Sequence, residues 1–159
     1  MTWPSHVTPT GQPSVKERRA LERLRDICRF LPETVETTTF GHPTFQAGKR
    51  RTFAVLDDHE QPGMLCLVLK LEAPEQAGLI EVKGFFLSKF GARHGWTAMR
   101  VDDDTDWSHA KRLVLASYRL VALKRMVTAL DARYPAAPGG REKSTRQPTT
   151  ASVRRRRPG

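Results

Sequence analysis

The chain has 159 residues, about the length of one ordinary domain. Its hydrophobic share of 38% is low for a compact domain, so we expect part of the chain to be unfolded. No apolar run approaches the roughly 20 residues that span a bilayer, and the first residues lack the charged start and apolar core of a signal peptide. These features predict a cytoplasmic protein, neither secreted nor embedded in a membrane.

Both ends of the chain have the composition of disordered segments. Residues 1–13 carry three prolines and no apolar periodicity, and residues 135–159 are rich in Pro, Gly, Ser and Thr without an aromatic residue. Such segments bury too little apolar surface to offset the entropy lost on ordering. We therefore predict a disordered N-terminal segment (1–13), a folded domain (14–134) and a disordered basic tail (135–159).

Positive charge is concentrated in that tail. The whole chain has a net charge of +10, and the tail holds seven Lys/Arg residues against one Glu. Four of them form the run Arg154, Arg155, Arg156 and Arg157. A cationic arm beside a folded domain adds affinity for phosphate without reading sequence. The alternative is a solubilising terminus in an arginine-rich composition.

The first predicted element is an amphipathic helix. Ser14 has the position of an N-cap, and apolar residues then recur at steps of three and four up to Leu31. Pro32 is expected to end this helix. Cys28 on its apolar face, like Cys66 further on, is expected to be a buried, reduced thiol because neither cysteine belongs to a CxxC pair.

The middle of the chain has the pattern of antiparallel strands. A strand is predicted at 37–40, with Gly41, His42 and Pro43 as punctuation, and others at 44–47, 52–56 and 64–71. Residues 48–51 are predicted to form a turn and residues 57–63 a polar loop. A short helix at 74–80 precedes strands at 85–87 and 96–101.

The C-terminal region returns to helical periodicity. Asp106 is predicted to cap it, and the apolar spacing from Ala110 to Ala132 indicates a long amphipathic stretch, with two helices meeting near Tyr118. Strands flanked by terminal helices predict an α+β fold: an antiparallel sheet of about five or six strands with one N-terminal helix and C-terminal helices.

Several short motifs occur in an order that resembles one known family. They are Phe40-Gly41-His42-Pro43-Thr44-Phe45, Thr52-Phe53-Ala54-Val55-Leu56-Asp57, Gly95-Trp96 with Arg100-Val101-Asp102, Asp106-Trp107, and the closing segment 117–125. Together these motifs resemble the MmcQ/YjbR-like family over about residues 20–131. Leu123 stands where that family usually has proline, so we expect a softened kink between the last two helices.

The resemblance implies a CyaY-like, double-wing fold, with a curved antiparallel sheet and helices on one side. It also implies a presumptive DNA-binding role, and it supplies no catalytic residues to carry over. We predict a non-catalytic protein without a cofactor. The partner expected from the resemblance and the charge is DNA or another polyanion, held mainly through the phosphate backbone.

Basic residues in two predicted loops and on the last predicted helix are the candidate phosphate contacts. They are Lys49, Arg50 and Arg51 on the predicted turn, Arg93 and His94 before Gly95, and Lys124 and Arg125 in the closing segment. The alternative for the first group is a solvated turn. The alternative for Lys124 and Arg125 is pairing with the acidic run Asp102, Asp103 and Asp104.

A second hypothesis places a pocket around Gly41-His42-Pro43, with His42 and Trp96 in its lining. Such a pocket could serve a small ligand, a protein partner or an unassigned enzyme, with His42 as a base or anion ligand. The alternative is a structural histidine bonded to neighbouring backbone. No nucleophile motif, phosphate-binding glycine loop or metal-ligand spacing is present, so no catalytic residue and no metal are predicted.

Overall fold

The computed structural model describes residues 14–61, 63–89 and 91–133. The predicted disordered segments and the four consecutive tail arginines lie outside these ranges. The helices are α1 (Val15–Cys28), α2 (Ala73–Leu79), α3 (Trp107–Val121) and α4 (Lys124–Arg133), with a 3₁₀ turn at Ala92–His94. The strands are β1 (Thr34–Thr39), β2 (His42–Ala47), β3 (Thr52–Gln61), β4 (Met64–Lys70), β5 (Phe85–Leu87) and β6 (Trp96–Arg100).

Both predicted helix caps are confirmed. The Ser14 hydroxyl accepts a hydrogen bond from the amide of Glu17 at 3.1 Å. The Asp106 carboxylate accepts from the amides of Ser108 and His109 at 3.0 and 3.2 Å. Each cap satisfies amides that have no partner inside the first helical turn, so each fixes where its helix begins.

The described strands form one sheet of six, in the order β1-β2-β3-β4-β6-β5, and neighbouring strands are antiparallel throughout. Helix α3 packs across β3 and β4, and α1 packs against α3. The predicted α+β class, with an N-terminal helix and C-terminal helices beside an antiparallel sheet, is confirmed.

A β-bulge at Phe53 shapes the centre of the sheet. Phe45 pairs with Ala54 and Gln46 pairs with Thr52, so Phe53 is the extra residue on β3. The bulge lets Phe53 and Ala54 both join the core on the helical side, although successive residues of a regular strand face opposite sides. The Phe53 ring meets the Tyr118 ring edge-on, with centroids 5.3 Å apart.

The main core lies between the sheet and helices α1, α3 and α4. Its fully buried members include Leu24, Leu56, Leu67, Val114 and Leu130. A smaller cluster of Cys66, Val68 and Ala98, with Val55, Met64, Phe86 and Trp96 packed against it, lies on the other side of the sheet. We call this side, opposite the helices, the cavity face, because a cavity lined by Val55, Val68 and Trp96 lies on it.

Strand β1 begins at Thr34, three residues before the predicted strand at 37–40. Three boundaries of longer elements were also wrong. Helix α1 ends at Cys28, so it stops before the turn that contains Leu31 and Pro32. Strand β3 continues through the predicted polar loop to Gln61, because buried Glu60 is held by the Ser88 hydroxyl at 2.7 Å and the Lys89 amide at 2.9 Å.

The third boundary is the break between the last two helices. It falls at Ala122 and Leu123 instead of near Tyr118. Ala122 has extended backbone, with ψ of 153°, and the Leu123 carbonyl accepts from the amides of Met126 and Val127 to start α4. The helices therefore separate fully without proline, and the predicted softening of the kink was wrong.

Candidate functional site

The turn between β2 and β3 (residues 48–51) carries the first group of predicted cations. The Gly48 amide donates to the Glu33 carbonyl at 2.8 Å, and the Ala47 amide donates to the Arg51 carbonyl at 2.9 Å. Gly48 and Arg50 have φ of 68° and 66°, a left-handed conformation that glycine adopts without strain. These bonds hold the three basic side chains at one end of the sheet, where all are exposed.

The Gln46 side chain braces this turn. Its amide oxygen accepts from the Arg50 backbone amide at 3.3 Å, and its amide nitrogen donates to the Thr52 hydroxyl at 3.2 Å. Gln46 lies on the cavity face, since Phe45 and Ala47 on either side of it face the core. These two hydrogen bonds offset part of the backbone strain at Arg50, which is a non-glycine residue in a left-handed conformation.

The start of α4 lies directly beside the same turn. A Cβ added at Gly48 would lie 3.0 Å from the Met126 side chain. The Arg51 guanidinium donates to the carbonyl of Val121, the last residue of α3, at 3.2 Å. Lys124 and Arg125 are therefore brought to the basic turn across more than 70 residues of sequence. We call this surface, formed by Lys49, Arg50, Arg51, Lys124 and Arg125, the basic end.

The members of the basic end differ in how far their charge is already neutralised. Arg125 makes two hydrogen bonds to the Glu33 carboxylate, at 3.0 and 2.8 Å. Those bonds lower the pKa of Glu33 and raise that of Arg125. Lys49, Arg50 and Lys124 have no ion pair among the described residues. Arg51 also has no ion pair among the described residues, but its guanidinium is held by the Val121 carbonyl. Lys49, Arg50 and Lys124 are therefore the members whose charged groups are most available to an external anion.

The alternative pairing of Lys124 and Arg125 with the acidic run was wrong. Asp102 pairs with Arg100 at 3.3 Å. Asp102 and Asp103 line a groove with Lys16, Arg19 and Arg23 of α1. The acidic run precedes α3 and the two cations follow it, and a helix of 15 residues is roughly 22 Å long. The two groups therefore lie at opposite ends of the molecule.

Arg93 and His94 lie at the same end of the sheet as the basic turn. The register pairs Lys70 with Trp96, and the Leu71 amide donates to the Gly95 carbonyl at 2.9 Å. The beginnings of β3 and β6 are therefore level, with only β4 between them, a separation of roughly 10 Å. Both side chains are exposed.

The predicted meeting of His42 and Trp96 occurs in the structure. Both line a cavity of about 230 Å³ on the cavity face, whose other walls are Thr39, Phe40, Thr52, Val55 and Val68. His42 is 1% exposed, and its carbonyl accepts from the Thr44 hydroxyl at 3.0 Å. The turn before it consists of Phe40 and Gly41 alone, with φ of 51° and 84°, as in a tight type I′ hairpin. His42 and Pro43, predicted as turn residues, begin β2 instead.

The sequence motifs did not single out Phe40 as part of this site. Its ring is 68% exposed, although it stands on the rim of an apolar cavity. The signal in the sequence is Phe40 directly before Gly41 between two strand patterns, because a two-residue hairpin turn would place both residues at positive φ. Within the described ranges, no three His, Cys, Asp or Glu side chains are grouped as metal ligands would be.

The fold and its surfaces define a class: an α+β domain whose six-stranded antiparallel sheet carries helices on one side, a cavity on the other and cations at one end. A family model described as YjbR matches residues 30–120, more than half of the chain. The chain therefore belongs to the YjbR family.

A solved structure shows the same fold. The chain is similar to Deinococcus radiodurans protein DR2400, described as a DUF419 domain, with a TM-score of 0.57 and 23% identity. The match covers 69% of this chain and 86% of that one. No curated protein sequence matches this chain at a meaningful level. Among the described residues, no helix is both long and apolar enough to cross a membrane.

Proposed function

We propose that this protein binds nucleic acid through its basic end, mainly by contacts to the phosphate backbone. The observation that carries the proposal is the packing of Met126 against Gly48, which joins two groups of exposed cations that are distant in sequence. Clustered Lys and Arg side chains release counterions from a nucleic acid when they bind it, and this release gives affinity without sequence readout.

The charge arrangement supports particular contacts. Lys49, Arg50 and Lys124 supply the phosphate contacts because they are exposed and not paired within the described residues. Arg51 is held at the end of α3, and Arg125 is held by Glu33, so both act chiefly by shaping the surface. Arg93 and His94 extend the positive surface across β4. The tail arginines are a further proposed contact.

The test is a salt series on the full chain, with binding of a labelled oligonucleotide followed by fluorescence anisotropy. Each phosphate contact contributes about 0.9 to the slope of log affinity against log salt for duplex DNA. Replacing Lys49, Arg50 and Lys124 by alanine should weaken binding and lower the slope by roughly 2 to 3. Replacing the four tail arginines by serine measures the share of the tail.

The matched control has the same loss of charge at the opposite end of the sheet. Lys16, Arg19 and Arg23 line the groove beside Asp102 and Asp103, so their replacement by alanine removes three cations away from the basic end. Equal losses of affinity in this variant and in the basic-end variant would show that the nucleic acid is attracted by the net charge of the protein and not by a particular surface. That result, or no binding by the unaltered chain, would refute the proposed site.

The cavity lined by His42 and Trp96 favours a second candidate function, the binding of a small ligand. Pockets with apolar walls and a few polar groups are the usual form of such sites. Binding of a small molecule in the absence of nucleic acid, lost when the cavity is altered, would support this second function.

A further inference from the structure

The cavity has the size and walls suited to one flat ring system. Its volume of about 230 Å³ is below the roughly 300–1,000 Å³ of pockets that hold drug-sized ligands. Phe40 and Trp96 supply aromatic surfaces, and Val55 and Val68 supply aliphatic ones. The side-chain polar groups of the lining residues are the hydroxyls of Thr39 and Thr52, the imidazole of His42 and the indole N–H of Trp96. This combination suits a heteroaromatic ring with polar atoms on its edge.

Two loops that carry cations lead directly into this cavity. Thr52 of the lining follows Arg51, and the Gln46 brace ties Thr52 to the Arg50 backbone. Trp96 of the lining follows Arg93, His94 and Gly95. A Cβ added at Gly91 would lie 3.3 Å from the Trp96 ring and 3.6 Å from the His94 ring, so both rings pack beside that glycine. The two segments that carry these cations are thus directly joined in the chain to residues of the cavity wall.

We propose that the cavity binds a single unstacked nucleobase, while the phosphates attached to its nucleotide lie along Lys49, Arg50 and Arg93. This inference rests on the proposed nucleic-acid function and deepens it. Bases in a duplex are stacked and paired, so they cannot enter the cavity unless they leave the helix. The protein should therefore prefer single strands, as proteins that stack bases on aromatic side chains do.

Phe40 is the residue with which to test this proposal. Phe40 is 68% exposed, so its truncation changes the cavity wall without opening the core. Phe40→Ala removes the ring, and Phe40→Trp keeps an aromatic surface. Phe30→Ala is the matched control, because Phe30 is 51% exposed and does not line the cavity. Circular dichroism and thermal unfolding would verify that each variant is folded.

The probes are a single strand of about twelve nucleotides, an abasic strand of the same length and charge, and the corresponding duplex. The unaltered chain should bind the single strand most tightly. Phe40→Ala should lower that affinity on the order of tenfold and leave the affinity for the abasic strand nearly unchanged. Phe40→Trp and Phe30→Ala should bind like the unaltered chain. Titration with AMP tests whether the cavity binds the base of a free nucleotide instead of a base in a strand.

The outcomes separate this inference from the function on which it rests. Binding of AMP that is lost in Phe40→Ala, without preference for single strands, supports the base site with a free nucleotide as its ligand. Equal affinity for the single and abasic strands, with no AMP binding sensitive to Phe40, overturns the base site and leaves backbone binding in place. If neither the strands nor the duplex bind and AMP does not bind, both proposals fail.

Discussion

The hydroxyl of Ser117 donates a 2.6 Å hydrogen bond to the Phe53 carbonyl and accepts one of 3.0 Å from the Lys70 amide. Ser117 belongs to α3, whereas Phe53 and Lys70 belong to neighbouring strands. The register between β3 and β4 begins at Ala54 and Leu69, so the Phe53 carbonyl and the Lys70 amide lie just beyond that ladder. A buried helix side chain thus replaces bonds between two strands.

Ser117→Ala should destabilise the domain by about 1–3 kcal/mol, because it leaves a buried carbonyl and a partly buried amide without this partner. Urea unfolding, followed by circular dichroism, measures the change. Ser108→Ala on the exposed part of the same helix is the control and should change the free energy of unfolding by less than about 0.5 kcal/mol. Equal losses at Ser108 and Ser117 would show that the two bonds of Ser117 are not the cause.

Gly95→Ala should be among the most damaging substitutions at a glycine. A Cβ there would lie 2.3 Å from the Leu71 carbonyl oxygen, and φ is 93°. The backbone of Leu71 cannot move aside without losing its hydrogen bond to Gly95. We expect a loss of roughly 3 kcal/mol or more, since steric displacement adds to backbone strain of about 1–3 kcal/mol. Thermal unfolding measures it.

Gly63→Ala is the matched comparison for Gly95→Ala. Gly63 also has positive φ, at 75°, but nothing lies within 4 Å of the added Cβ. It should therefore show the strain alone. A loss at Gly95 no larger than that at Gly63 would contradict the close approach of Leu71.

Glu33→Gln should raise the affinity for nucleic acid. The substitution removes the negative charge beside the basic end and frees Arg125 from its ion pair. One added phosphate contact should steepen the salt slope by roughly 0.9. Glu36→Gln is the control, because Glu36 pairs with Arg25 of α1. Unchanged or weaker binding by Glu33→Gln alone would argue against the basic end as the binding surface.

Stability should decline at alkaline pH because buried acids resist ionisation in the folded state. Burial and nearby Asp57 raise the pKa of Cys66 to about 12, burial raises that of Tyr118 to about 12, and burial also raises that of Cys28. An unfolded thiol ionises near pH ~8.5 and an unfolded phenol near ~10. The unfolded chain therefore loses protons first, so the free energy of unfolding falls as pH rises from these values toward 12.

Urea midpoints at pH 8, 9, 10 and 11 would measure this decline. Cys66→Ala should make the decline between pH 9 and 11 shallower. Iodoacetamide should alkylate both thiols slowly in the folded chain at pH 8 and rapidly in denaturant. The reason is that the thiolate is the reactive form, and burial suppresses it. Rapid alkylation of the folded chain would contradict the burial of these cysteines.

The sequence was most informative where one local interaction decides the structure. Ser14 and Asp106 mark helix starts because their side chains cap amides two or three residues away. Strand β3 extends through polar residues because Glu60 is held by Ser88, a contact across 28 residues that periodicity does not detect. Likewise, Tyr118 continues the apolar spacing of α3. The position of the helix break at Ala122 could therefore not be predicted from that spacing.

The candidate site was predicted as separate parts. Lys49, Arg50 and Arg51 were expected on a turn, and the structure has them there. Their adjacency to Lys124 depends on how α4 returns over the sheet after α3, which is a property of tertiary packing. The meeting of His42 with Trp96 in one cavity was expected, but Phe40 was not, because the hairpin places its turn one residue earlier than the sequence suggested.

The two outer strands of the described sheet each have a feature that opposes pairing with a strand of another copy. Strand β1 at one edge has the sequence TVETTT, and its Glu36 carboxylate is held by Arg25 at 2.7 Å. Strand β5 at the other edge is only three residues long. The three residues of β5 offer few amides to a strand of another copy, and the charged pair beside β1 disfavours the approach of a second sheet edge there.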